Sequence, residues 1–271
     1  MKNLLLTAAA AVALSPALSA HAASSAQASI DTLTLTLFDL DLSDGIAPSI
    51  SFAVGTYSTY GSSASTSATD AASGSQNSQG WSLTPLGPVA AHSNAGGAAA
   101  QAWLNGSVLG SGASFLAAGS AAGASLPGLA TRYTASVGSD RFDGLSFTLS
   151  ANTLVMFSGV TSLYASTTIG ADSDFNTERA SASAWLSLSG PGAGGTGSQN
   201  STSEHSVEAS WNYVYDPETG DYRDTGESRS LVDAALFGSF VNGTSGDLVG
   251  QFSVGVSVDG LSPVSAVPEP G

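Results

Sequence analysis

Cysteine is absent from this 271-residue sequence, and Lys and Arg together number six against 21 Asp and Glu. Without cysteine the chain has no disulfide, no thiol nucleophile and no thiolate metal site, so stability must come from an ordinary core. Charged residues make up only 10%, well below the usual quarter, which predicts a surface of Ser, Thr, Asn, Gly and Ala. The net charge of −15 argues against nucleic acid and anionic lipid as partners, and permits divalent cations.

Familiar catalytic motifs are also missing. The sequence contains no Gly-x-Ser-x-Gly elbow, no Gly-x-x-x-x-Gly-Lys loop and no His-Glu-x-x-His pair. His92 and His205 lie in stretches that resemble loops, and serine is too common for a triad to be inferred from them. We therefore expect no enzymatic activity. A glycan-active hydrolase with a pair of carboxylates stays open as an alternative, since only their separation in space identifies such a pair.

The N-terminus has the layout of a secretory signal peptide. Lys2 supplies the positive charge, residues 4–14 form a short apolar run, and Pro16 ends it. Ala20-His21-Ala22 is a small-x-small cleavage site, and we expect cleavage after Ala22. Removal of residues 1–22 leaves 249 residues, enough for one large β domain or two small ones.

Short alternating segments dominate the remainder. Leucine and threonine alternate over residues 32–37, the period expected of a half-buried strand, and the alternation changes phase at Phe38, where we predict a β-bulge. Asp216–Asp221 is a turn between two strands, and Val207 to Tyr215 alternates as one strand. Residues 61–80 are rich in Ser, Ala and Thr, and are interpreted either as a loop or as strands with small side chains.

This pattern predicts an all-β fold, an antiparallel and jelly-roll-like β-sandwich with Gly/Ser-rich loops, over residues 23–262. A Gly/Ser-rich stretch at 190–203 leaves open a division into two small sandwiches. Three prolines in residues 263–271 predict an extended tether, because proline removes a backbone donor and fixes φ.

Two groups of residues are candidate binding sites. Asp39, Asp41 and Asp44 precede Gly45, and their spacing suggests a tentative calcium site, with an acidic edge-strand face as the alternative. No other cofactor is expected. Trp185, Trp211 and Tyr213 are candidates for stacking on sugar rings, with a core position as the alternative for each. Trp185 alternates with apolar neighbours, so it points to the face opposite to theirs.

The C-terminal residues Val267, Pro268, Glu269 and Pro270 resemble the opening of a PEP-CTERM sorting signal. In that family of exported proteins of Gram-negative bacteria, an apolar membrane span and an arginine cluster follow, and an exosortase processes the signal. The match here ends at Gly271, so we expect membrane contact only through a span that the printed sequence lacks. The runs Asp39–Phe52 and Ser146–Ser158 are similar to segments of the same family.

This resemblance implies an exported, non-enzymatic protein of the cell surface or extracellular matrix, with the exosortase as a partner. Family members are associated with biofilms and exopolysaccharide. The alternative function is a carbohydrate-binding β-sandwich module that acts on exopolysaccharide.

Overall fold

A computed structural model describes residues 23–53, 61–70, 72–107, 112–122, 130–139, 145–168 and 177–263, without the side chains of 107, 211–213 and 222–224. Every helix or strand in these ranges is a β-strand. The strands are β1 (Ala23–Asp39), β2 (Ile50–Phe52), β3 (Ser62–Asp70), β4 (Gly74–Ser82), β5 (Val89–Ala95), β6 (Ala98–Ser107), β7 (Gly112–Ala122), β8 (Ala130–Gly138), β9 (Leu145–Leu149), β10 (Thr153–Thr167), β11 (Arg179–Pro191), β12 (Ser198–Ala209), β13 (Trp211–Asp216), β14 (Asp221–Gly226), β15 (Ser228–Asn242) and β16 (Leu248–Pro263).

Two antiparallel sheets share one main hydrophobic core. Sheet A has the strand order β15-β10-β1-β7-β6-β5, and sheet B has the order β12-β11-β16-β8-β3-β4. β9 pairs with β16 and with the short β2, while β13 and β14 form a separate two-stranded sheet. The chain crosses between the sheets repeatedly, and β1, β10 and β16 each lie between two neighbours. The predicted antiparallel β-sandwich is confirmed.

Strand β3 shows how a sequence with few large apolar residues forms a sandwich. Its residues alternate between buried and half-buried, so Ala64 and Ala68 face the core while the intervening serines face outward. Thr66 also faces inward, and its hydroxyl lies 2.8 Å from the Ser93 hydroxyl of β5 in the opposite sheet. A buried polar side chain is therefore satisfied across the core. Residues 62–70 and 74–80 lie in strands with small side chains, the second of the two interpretations of this region.

Large side chains fill a different part of the core. Phe157 and Phe252 stack with ring centroids 4.3 Å apart, and Phe147 meets Phe240 edge to face at 5.1 Å. Phe52 on the short strand β2 packs against this group, 5.8 Å from Phe252. These rings come from both sheets, so they join the sheets through burial and through favourable ring geometry.

Tyr133 is the largest buried side chain of the alanine-rich part of the core. A Cβ added at Gly119 of β7 would lie 2.1 Å from its ring, and one added at Gly260 of β16 would lie 2.3 Å from it. The ring therefore fits only because both neighbours are glycines. Burial, and to a lesser extent the Asp259 carboxylate, raises the pKa of Tyr133.

Residues 190–203 do not divide the chain. β11 and β12 pair directly through this region, from Ala180 opposite Ala209 to Pro191 opposite Ser198. Both strands belong to sheet B, whose other members come from earlier and later parts of the chain. The alternative of a division near 190–203 finds no support in this pairing, because the glycines of 192–197 form the turn of a hairpin.

Two finer predictions about strands need correction. The β-bulge lies between Ile30 and Thr34, where β1 shifts register against β10, and the pairing is regular through Phe38. The phase change at Phe38 reflects the end of the strand at Asp39 instead. The predicted single strand from Val207 to Tyr215 is two strands, β12 and β13, although the predicted hairpin at Asp216–Asp221 is confirmed.

Side chains of β12 close one side of the sandwich. Gln199 bonds both backbone groups of Val241 on β15, accepting from its N–H at 3.0 Å and donating to its carbonyl at 2.7 Å. The Ser201 hydroxyl accepts from the Ser239 amide at 3.1 Å. These side chains replace the backbone partner that an edge strand lacks, so the edge of β15 facing β12 is covered.

Candidate functional site

The predicted calcium ligands form turns at the end of β1. Asp39 accepts a hydrogen bond from the Asp41 amide at 2.9 Å, Asp41 from the Ser43 amide at 3.0 Å, and Asp44 from the Ile46 amide at 2.7 Å. This is the Asx-turn arrangement, in which a carboxylate bonds the backbone two residues ahead. The Ser43 hydroxyl, followed by the Ser43 amide, holds the pKa of Asp41 below its ordinary value.

These carboxylates connect the loop to its own backbone and to a neighbouring turn. The second oxygen of Asp44 accepts a hydrogen bond from the Asn152 side chain at 2.7 Å, in the turn between β9 and β10. Within the described residues, no group of three or more His, Cys, Asp or Glu side chains is placed to hold a metal ion. The structure does not bring Asp39, Asp41 and Asp44 together, and calcium binding there stays a prediction.

Trp185 lies on the outer face of sheet B, as its alternation indicates, but it is only 8% exposed. Its indole covers Gly255 of β16, where an added Cβ would lie 2.6 Å from the ring. Its Nε1 donates to the Ser253 hydroxyl at 3.1 Å. The expected exposure of Trp185 is not observed, because a glycine and a serine of the adjacent strand let the indole lie against the sheet. Its sugar-stacking role stays a prediction.

The backbone of Trp211 and Tyr213 belongs to β13, opposite Gly226 and Asp224 of β14. Their side chains lie outside the described part of the structure, and so do the sorting-signal residues Val267, Pro268, Glu269 and Pro270. A sugar-binding role for the first pair and a sorting role for the second group therefore stay predictions.

Hydroxyl side chains cover the outer surface of sheet B, which we call the serine face. Its central row takes one serine from each of five neighbouring strands: Ser65, Ser136, Ser257, Ser183 and Ser206. Within this row the hydroxyls of Ser65 and Ser136 lie 2.9 Å apart, and so do those of Ser183 and Ser257. A hydroxyl is one donor and two acceptors, so each keeps capacity for a further hydrogen bond.

The next row of the serine face is bounded by two tryptophans. Trp81 on the edge strand β4 is 51% exposed and stands opposite Ser63 of β3. Gly138 and Gly255 follow on β8 and β16, and Trp185 stands beyond them on β11. Gly138 and Gly255 carry no side chains, and the Trp185 indole lies over Gly255, so this row presents the exposed Trp81 indole beside a low surface. The sequence makes each tryptophan a candidate for sugar stacking, but β4 shows no alternation of apolar and polar residues that would assign Trp81 to an exposed face.

Few net charges act on this face. The Asp259 carboxylate lies 3.2 Å from the Arg179 guanidinium and accepts a hydrogen bond from the Ser181 hydroxyl. Arg179 and Asp259 are both solvated, so the ion pair adds little stability, but the two opposite charges cancel. Glu204 and Glu208 lie at the border, on edge strand β12. The centre of the serine face is therefore neutral and rich in hydroxyl groups.

Two carboxylates are buried among the described residues, and both accept several hydrogen bonds. Asp70 accepts from the amides of Ala72, Ser73 and Gly97, and the Gly97 amide is the main cause of its lowered pKa. Glu178 accepts from the Thr168 amide at 2.8 Å and from the Ser262 hydroxyl at 2.9 Å. Both residues secure the ends of strands, and neither is presented to a substrate in this arrangement.

No protein-family model, no curated protein and no solved structure matches this chain. Within the described ranges, the structure has no helix with the length and apolar character needed to cross a membrane.

Proposed function

We propose that this chain is an exported, non-enzymatic protein of the bacterial surface or extracellular matrix, sorted through its C-terminal signal, whose serine face contacts exopolysaccharide. Export is supported by the sequence of residues 1–22, and sorting by Val267–Pro270. The observation that carries the glycan contact is the five-strand hydroxyl row beside the exposed indole of Trp81.

The chemistry of the serine face suits a neutral glycan. Sugar hydroxyls donate and accept hydrogen bonds, as do the serine hydroxyls, and neutral groups are less costly to desolvate than charged ones. An indole provides a flat apolar surface for the C–H face of a sugar ring. The negative net charge opposes polyanions, so an uncharged polysaccharide is the favoured ligand.

Binding is tested with the chain from Ala23 onward and an insoluble neutral glucan, with a polyuronate for comparison. We expect retention on the glucan and weak retention on the polyuronate. Trp81→Ala should weaken glucan binding about two- to tenfold, the range for loss of one aromatic contact. Trp103→Ala is the matched control, since Trp103 lies on the outer face of sheet A. Equal effects of the two substitutions, or no retention, would contradict the proposed face.

Export and sorting are tested in a Gram-negative host that carries an exosortase. The full chain is expressed with the family's apolar span and arginine cluster appended after Gly271. We expect surface or extracellular recovery, and retention in the cell when Pro268, Glu269 and Pro270 are all replaced by alanine. Identical localisation of the two proteins would count against sorting.

Release of reducing ends from the glucan would instead favour the hydrolase alternative.

A further inference from the structure

Both ends of the strand region meet at one end of the sandwich. The Ala23 nitrogen, where β1 begins, donates to the Thr168 hydroxyl at 2.8 Å. Thr168 in turn donates its amide to Glu178 Oε2 at 2.8 Å. Ser262, near the end of β16, donates its hydroxyl to the other oxygen of Glu178 at 2.9 Å. Ala23 and Ser262 are thus connected through Thr168 and the Glu178 carboxylate.

Glu178 is the central group of this network. Its exposure is 0%, and Ser262 is also fully buried. A buried carboxylate is sensitive to nearby positive charge, because the protein interior screens a charge much less than water does.

We propose that signal cleavage after Ala22 strengthens this network, because it converts the neutral Ala23 amide into an ammonium group that is linked to the Glu178 carboxylate through Thr168. The inference rests on the proposed export of the chain. Before cleavage, the Ala23 nitrogen has one hydrogen and no charge. Afterwards it has three hydrogens and a positive charge, while its bond to Thr168 can be kept. Leader removal would thereby stabilise the end of the sandwich from which the C-terminal segment departs.

The sequence allows this terminal amine to be modified selectively. Lys2 is the sole lysine and belongs to the leader, so in the chain from Ala23 onward the terminal amine is the only primary amine. Acetylation removes its charge, whereas reductive dimethylation keeps it. The two modified proteins therefore differ only at the terminal nitrogen, and mainly in its charge.

The experiment compares thermal unfolding of the unmodified, acetylated and dimethylated chains at neutral pH. We expect acetylation to lower Tm by about 2–4 °C, and dimethylation to leave Tm close to that of the unmodified chain. In Glu178→Gln the acetylated and dimethylated proteins should melt together. Thr168→Val keeps the backbone hydrogen bond to Glu178 but loses the hydroxyl that accepts from Ala23. In this second variant the Tm difference between the acetylated and dimethylated chains should be smaller.

Equal Tm values of the two modified wild-type proteins, or a difference that persists in both variants, would overturn the proposal. N-terminal sequencing of the exported protein tests the underlying cleavage separately. A mature terminus other than Ala23 would refute the role in maturation, even if the charge affected Tm. A terminus at Ala23 without a charge effect on Tm would leave export intact and would refute the link between the terminal charge and the Glu178 network.

Discussion

The two parts of the core hold the same two sheets together in different ways. Around β9, β10 and β16, phenylalanine rings fill the space between the sheets, as in the stacked pair Phe157 and Phe252. Around β3, β5 and β7, alanine fills it, and Thr66 and Ser93 of opposite sheets meet through their hydroxyls at 2.8 Å. A sandwich can therefore be closed by large rings or by close approach of backbones. The first arrangement should be destabilised by large-to-small substitutions and the second by small-to-large ones.

The largest effect is expected in the aromatic part. Phe252→Ala removes a fully buried ring that contacts Phe157 and Phe52, and should lower the free energy of unfolding by about 3–5 kcal/mol. Urea unfolding followed by tryptophan fluorescence measures this loss. Phe237→Ala is the control, since Phe237 is 56% exposed on β15 and should change stability by less than about 0.5 kcal/mol.

In the alanine-rich part, adding a single methyl group should be harmful. Gly119→Ala places a Cβ against the Tyr133 ring and should destabilise by about 1–3 kcal/mol through overpacking. Gly194→Ala, where the added atom meets nothing within 4 Å, serves as the control in the same denaturant measurement. If overpacking against the ring is the cause, the double variant Gly119→Ala, Tyr133→Leu should be as stable as Tyr133→Leu with Gly119 intact. An unchanged cost of Gly119→Ala in the Tyr133→Leu background would refute it.

The turn that closes the alanine-rich part should be sensitive to acid. The folded pKa of Asp70 is lowered, so its stabilisation is present above the ordinary pKa of about 4 and is lost as pH falls through the lower folded value. Asp70→Asn should cost about 1–3 kcal/mol at pH 7, because an amide nitrogen would face a backbone donor. The difference in stability between the wild-type chain and Asp70→Asn should become smaller in strong acid. Thermal melts at a series of pH values measure it. A difference in stability that stays constant from pH 7 into strong acid would contradict the stabilising role of the Asp70 carboxylate.

The corresponding loop beside the aromatic part distinguishes turn formation from calcium binding. If Asp39, Asp41 and Asp44 bind calcium, a chelator should lower Tm and Asp41→Ala should abolish that effect. If they only form Asx turns, chelator should leave Tm unchanged, and Asp41→Ala should change Tm little because this carboxylate is solvated. Differential scanning fluorimetry with and without added calcium separates the two outcomes.

Sequence reasoning succeeded where large apolar residues alternate with small polar ones. The strands around Phe147 and Val155, and the hairpin at Asp216–Asp221, were predictable because their patterns and turn residues agree. The bulge of β1 was misplaced, because a sequence does not distinguish an inserted residue from the end of a strand.

The candidate site was less predictable, because exposure depends on residues that are distant in the chain. Trp185 is covered in a way that depends on Gly255 and Ser253, some 70 residues later. The serine face arises from five strands whose registers align their hydroxyls, and no local pattern encodes that alignment. Trp81 is exposed because β4 is an edge strand, a property of the sheet order.

The position of β16 has a mechanical consequence. This strand ends at Pro263, where the predicted tether begins, and hydrogen bonds hold it to β8 on one side and to β11 on the other. A load applied through the tether would run along the strand axis and act on both ladders at once. Such bonds resist shear together instead of opening one by one, so the sandwich should unfold at high force when pulled from this end in single-molecule force spectroscopy. A protein fixed to a surface at its C-terminus and held to a polymer by the adjacent face would transmit tension through a strand that is paired on both sides.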